Sequence, residues 1–169
     1  MARMRDSLPR LLAASALLTG LAGGAAACGG GDDTPADPDA GYNCTIEMRD
    51  EAFAAGMEKV GDKGITFRLV SSDPTPPARG DNAWVLELEQ TGAALDGADD
   101  SITTYMSDHG HNGSIDAVAS PDPAVSGRYE IDNVNMWMPG LWEITVKATP
   151  AGGAAADTDQ VVFRFCIPS

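Results

Sequence analysis

The two histidines of this chain stand two residues apart, His109 and His111, within Met106-Ser107-Asp108-His109-Gly110-His111. In an extended segment that spacing turns both imidazoles to one face, where they can grip a single metal ion. One thioether stands beside them at Met106, and two more follow at Met136 and Met138 in Met-Trp-Met-Pro-Gly-Leu-Trp. Thioether with imidazole is a soft donor set, suited to Cu(I), or to Cu(II) when oxygen ligands join. Zinc would also need carboxylates such as Asp108 or Asp116. Met136 and Met138 alternate with Trp137, so an extended chain sends both sulfurs one way and the indole the other. A plainer reading fits the same residues: the loop caps one end of a fold and the methionines fill gaps in its core. Gly110 and Gly113 then serve as turn residues.

Catalytic chemistry has little to stand on. The chain lacks G-x-S-x-G, H-E-x-x-H and a P-loop, the patterns that place a nucleophile, a zinc-bound water or a phosphate. Ser107, Asp108 and His109 are the right types for a triad, but consecutive side chains cannot converge as nucleophile, orienter and base. The expectation is a binding protein and not an enzyme. Asp96 to Asp100 could attract calcium, yet it lacks the alternating oxygen ligands of an EF-hand and reads as a solvated hairpin loop. Trp84, Trp137 and Trp142 read as core or rim packing, with a cation–π contact available should a cation bind beside them.

The elements that must position these residues are short runs of period-two alternation between Gly, Pro and Asp clusters. They cover residues 65–70, 84–89, 102–106, 128–134, 141–147 and 161–167. A proline-rich break spans 73–81, residues 92–100 read as a connection, residues 152–159 as a loop, and Pro139-Gly140 as a turn. The expected fold is all-β, an immunoglobulin-like antiparallel sandwich of about seven strands. One short helix is expected at Arg49 to Lys59, with Phe53 and Met57 on a shared face.

Ahead of this domain the chain reads as an export signal. Arg3, Arg5 and Arg10 precede an apolar, small-residue stretch that ends in Ala25-Ala26-Ala27 before Cys28. Residues 1–27 are therefore expected to be a lipoprotein-type signal peptide, although the three alanines also suit an ordinary signal peptidase. Residues 28–41 would be a lipidated Cys28 and a flexible linker of Gly, Asp, Pro and Ala, reaching roughly 20 Å. Residues 42–169 form the domain. With Cys28 lipidated, Cys44 and Cys166 remain as an even pair, expected to form a disulfide in an oxidising compartment. Closing so long a loop is worth roughly 4 to 5 kcal/mol in the chain-entropy model. Losing residues 1–27 removes three arginines and one aspartate, which takes the net charge from −14 to −16. Such a surface repels nucleic acid and attracts cations.

The stretches YMSDHGHNGS (Tyr105 to Ser114) and SGRYEIDNVNMWMPGLWEITVKA (Ser126 to Ala148) resemble the YtkA-like, or FixH-like, domain family. That family runs a strand into an MPxHGH-type loop, then a G-x-Y strand and an MPG-x-W segment. Order and spacing agree from about Gly64 to Phe165, with Ser107 standing where a proline is usual. The resemblance implies an immunoglobulin-like sandwich in an exported or membrane-anchored bacterial protein. Its motif falls on Met106, His109, His111, Met138, Pro139, Gly140 and Trp142. The FixH group is associated with cytochrome oxidase and cation-pump assembly, which implies an envelope metalloprotein or oxidase-assembly factor as partner. The function expected is that of a cell-envelope lipoprotein, anchored by its N-terminal lipid and facing periplasm or exterior. It would bind and deliver copper through Met106, His109 and His111, with Met136 or Met138 completing the site. The alternative is a non-metal immunoglobulin-like module that contacts an envelope partner.

Overall fold

Inward-facing residues recur at every second position along the expected runs, all apolar except Thr104, with the pattern slipping by one at Asn133 in the 128–134 run. The computed structural model, which describes residues 42–169, shows each run as a long strand. The expected signal segment, Cys28 and linker lie outside the described residues. The long strands are β2 (Ile65–Asp73), β3 (Gly80–Gln90), β5 (Asp99–Met106), β8 (Arg128–Met136), β9 (Gly140–Thr149) and β10 (Asp159–Ile167). Four short strands join them: β1 (Met57–Val60), β4 (Ala93–Ala94), β6 (His111–Asn112) and β7 (Val118–Pro121).

All pairings are antiparallel. One sheet has the order β1-β2-β3-β8-β7, with β4 also on β3, and the other has the order β10-β9-β5-β6. One face of each sheet is apolar, and the two faces close on a single core, the sandwich solution to two half-buried sheets. Phe67, Leu69, Trp84, Leu86 and Ile131 from the first sheet meet Ile102, Trp142, Ile144, Val146 and Phe163 from the second. Trp84 stands edge-on to Phe163 and Phe165, with ring centroids 6.1 and 5.8 Å away. The fold is the expected antiparallel, immunoglobulin-like sandwich. No helix among the described residues is long and apolar enough to cross a membrane.

Three local expectations are corrected. Residues 49–59 form no helix: Glu51 N–H donates to Arg164 O at 2.8 Å, and Gly56 N–H donates to Leu69 O at 2.8 Å. Met57–Val60 then lies along Leu69–Thr66 as β1. Phe53 and Met57 do pack on the core, but the segment's backbone groups bond to sheet edges, and that outweighs its modest helix propensity. Residues 92–100 are not all connection, since β4 and the first residues of β5 fall within them. Asp159 belongs to no solvated loop. It starts β10, is 2% exposed, and its Oδ2 accepts from Lys63 N–H and Ile65 N–H at 3.0 Å each.

Cys44 and Cys166 are joined as expected, across a sequence separation of 122. Cys166 lies opposite Leu141 in the β9–β10 ladder, so the disulfide ties the start of the described chain to the end of the sandwich where β5 meets β6.

Candidate functional site

The histidine stretch is the tip of the β5–β6 hairpin. Met106 O accepts from His109 N–H at 3.2 Å and from Gly110 N–H at 2.8 Å, which closes a turn over residues 107–110. Gly110 makes that turn at φ +71°, a conformation open to glycine at no steric cost. The two imidazoles therefore do not share a face by strand alternation. His109 sits exposed in the turn and His111 half-buried in β6, and the turn brings their ring centroids to 5.9 Å. A single ion bonded at about 2 Å to one nitrogen of each ring spans centroids up to about 6 Å apart.

Cross-strand pairing explains what surrounds His111. Met106 is its direct partner, so both side chains point to the inner face of the sheet. Trp142 lies on β9, on the other side of β5, and its indole meets the His111 ring edge-on at 6.1 Å. From the other side Trp137 stacks on His111 at 5.4 Å with 28° between the planes. Trp137 reaches there from the crossover linking β8 to β9, which is fixed by Trp142 Nε1–H donating to Met138 O at 2.9 Å and Arg79 Nε–H donating to Trp137 O at 2.8 Å. His111 Nδ1 is 3.0 Å from Asn112 O. That carbonyl favours the Nδ1–H tautomer, which leaves the Nε2 lone pair for a ligand.

The three methionines fare differently. Met106 is fully buried and is the one placed beside a histidine by the ladder. Its methyl packs under Gly140, at φ +138°, where any Cβ would overlap it. Met136 is fully buried at the end of β8, paired with Gly80. Met138 is half-buried and packs against the core. The alternation with Trp137 survives, because Trp137 alone of the three is exposed, at 41%.

The carboxylates named as further ligands are not brought in. Among the described residues no group of three or more His, Cys, Asp and Glu is arranged to hold a metal ion. Asp116 is exposed. Both oxygens of Asp108 are taken: Arg49 Nη1 donates to Oδ1 at 2.7 Å and Nη2 donates to Oδ2 at 2.8 Å. Arg49 also donates to both oxygens of Glu47, at 2.8 and 2.7 Å. The Tyr42 hydroxyl lies 2.6 Å from Glu47 Oε2 and 3.1 Å from Asp108 Oδ2. Hydrogen bonds from the Arg49 guanidinium hold the carboxyls of Asp108 and Glu47 below their ordinary values. Burial, then the two carboxylates, push the Tyr42 hydroxyl up. Sequence reasoning missed Tyr42, Glu47 and Arg49, since no periodicity links them to a loop some sixty residues away.

The YtkA-like family model matches residues 59–147, which include the hairpin, the crossover and most of β9. No curated protein matches the chain. Among solved structures, FetP from a uropathogenic E. coli, as isolated, is 13% identical with a TM-score of 0.43, covering 69% of this chain and 97% of its own. A copper-bound variant of the same E. coli protein is 12% identical with a TM-score of 0.43, covering 67% and 95%. At that level of likeness, what FetP binds does not transfer to this chain.

Proposed function

This chain belongs to the YtkA-like family, and we propose that it is a cell-envelope lipoprotein whose His109–His111 end binds copper and hands it on without turnover. The observation that carries this reading is the pair of imidazoles 5.9 Å apart, one of them flanked by two indoles and set directly across from Met106. Imidazole and thioether are the donors that copper prefers. In this reading His109 and His111 bind the ion and the Met106 sulfur approaches from the core side. Met138 or Met136 would complete the set. The exposed His109 faces the side from which the ion arrives and leaves. The acidic chain attracts cations over a longer range. Lipid on Cys28 and the 28–41 tether would hold the domain at the membrane, within reach of an envelope metalloprotein or oxidase-assembly partner.

The test is Cu(I) binding in competition with a chelator, for the native protein and a His109→Ala/His111→Ala variant. One-to-one binding that survives the competitor, and is lost in the variant while the fold persists, is the expected outcome. No binding, or equal binding in both proteins, sinks the copper reading. One observation favours a second reading, that of a non-metal interaction module: Met106 and Met136 are completely buried, as core-filling methionines are. The same assay decides between the two.

A further inference from the structure

The turn at residues 107–110 is exposed throughout, and within the hairpin it is closed by two N–H groups on one carbonyl. A tip with so few contacts opens easily unless something outside the hairpin holds it. What holds it is Asp108, the residue before His109. We propose that Arg49 is a positioning residue for the His109–His111 pair, gripping Asp108 from the strap of residues 44–51 and thereby fixing the backbone that presents His109. As a statement about a metal site, this rests on the copper reading above.

Isolated surface ion pairs contribute little, because two flexible side chains must be ordered and water screens their attraction. This one differs in geometry. The guanidinium meets Asp108 through two parallel N–H donors, the arrangement that adds direction to attraction. Two more of its donors go to Glu47, whose side chain is 7% exposed. Glu47 Oε1 in turn accepts from the main-chain N–H groups of Met48 and Arg49, at 2.9 and 2.8 Å. The strap itself is held on both sides of these residues. Cys44 is bonded to Cys166 on β10, and Glu51 N–H donates to Arg164 O. Arg49 thus has one place to stand, and Asp108 inherits it.

Electrostatics alone predicts the opposite sign to positioning. Removing Arg49 deletes a positive charge near the histidines, which by itself would tighten cation binding. Losing the support of a ligand instead weakens metal affinity, by about ten- to a hundredfold in known sites. The experiment compares native protein, Arg49→Ala, Arg49→Lys and Asp108→Asn, full-length in each case. Cu(I) competition is measured beside metal-free imidazole NMR and the His111–Trp137 proton contacts.

The expected result is Cu(I) affinity about tenfold or more weaker in Arg49→Ala, with partial rescue by Arg49→Lys. His109 signals should broaden without metal, while the His111–Trp137 contacts persist. Unchanged or tighter Cu(I) binding with unmoved His109 signals overturns the proposal. If the native protein binds no copper, the copper reading fails and the metal-free spectra alone decide: loosened His109 signals uphold the clamp, and unchanged ones overturn it. Should Arg49→Ala fail to fold, Asp108→Asn removes the same ion pair while leaving Arg49, Glu47 and Tyr42 together; because losing its negative charge weakens cation binding by itself, it is judged by the metal-free spectra alone, loosened His109 signals upholding the clamp and unchanged ones overturning it.

Discussion

The two ends of β5 show how differently one sandwich can treat its polar groups. Asp100 lies at one end of the strand and Met106 at the other. Around Asp100 is a cavity of about 610 Å³ lined by Asp62, Lys63, Lys147 and Asp159 among others. Of its charges Asp159 is committed, tied to main-chain N–H groups. Asp100 Oδ2 is buried with no hydrogen-bond partner, and burial holds that carboxyl above its ordinary value. The end around Met106 is defined by converging donors instead of volume. Imidazoles, indoles and a thioether meet there, and the carboxylate next to His109, Asp108, is paired with Arg49. An open cavity is therefore a poorer guide to chemistry here than the lone pairs left uncommitted.

That contrast can be broken experimentally. The largest effect is expected from Cys44→Ser/Cys166→Ser, since closing a loop of this length is worth about 5 kcal/mol in the chain-entropy model. Chemical denaturation should show a loss of that order. Hydrogen exchange should rise first in residues 42–49 and 107–110, ahead of residues 99–102 and 159–162. Equal acceleration at both ends would mean that the disulfide supports the whole sandwich and not its histidine end.

Gly140→Ala comes next, at about 3 kcal/mol. It combines a φ of +138° with a Cβ placed into the Met106 methyl, and strain and overpacking each cost about 1 to 3 kcal/mol. Trp137 and Trp142 fluorescence should change with it while Asp100 keeps its titration. A stability loss well under 1 kcal/mol would show that Met106 is free to move aside.

The smallest effect separates the ends by pH. The Asp100 carboxyl is raised by burial, so its stability contribution is present below its ordinary value of 3.8 and lost as pH rises through the folded value. Glu47 is lowered by Arg49, so its contribution is present above its ordinary value of 4.5 and lost as pH falls through the folded value. Acidification from neutral towards pH 4 should then relieve the Asp100 end while the strap stays closed, and the strap should loosen only below that range. Carboxyl-carbon NMR checks the order: Asp100 is expected to titrate above 3.8 and Glu47 below 4.5. The reverse order would contradict both environments.

Much of the architecture could be read from residue order. Alternation such as Ile65-Phe67-Leu69 or Trp84-Leu86-Leu88 is a property of the strand alone, because side chains must point to opposite faces at successive positions. All six long strands were legible for that reason. β1 was not, because the residues around Met57 carry a helical spacing and are drawn into the sheet only by the edge of β2. At the histidine end the motif named His109, His111 and Met106, but extended geometry gave the wrong reason for their proximity, since the turn at Gly110 brings the rings together.

The sequence by itself determined the sandwich, the pairing of Cys44 with Cys166 and the segment in which soft donors gather. Each follows from a local period or from a count of residues. Only the tertiary structure decided that Asp108 serves Arg49 instead of a metal, that Trp137 covers His111, and that Met136 withdraws into the core. Those contacts join chain segments up to 59 residues apart and depend on strand register and on where the β8–β9 crossover lands. No local pattern encodes such placement, because it is set by which surfaces the packed sheets leave facing one another.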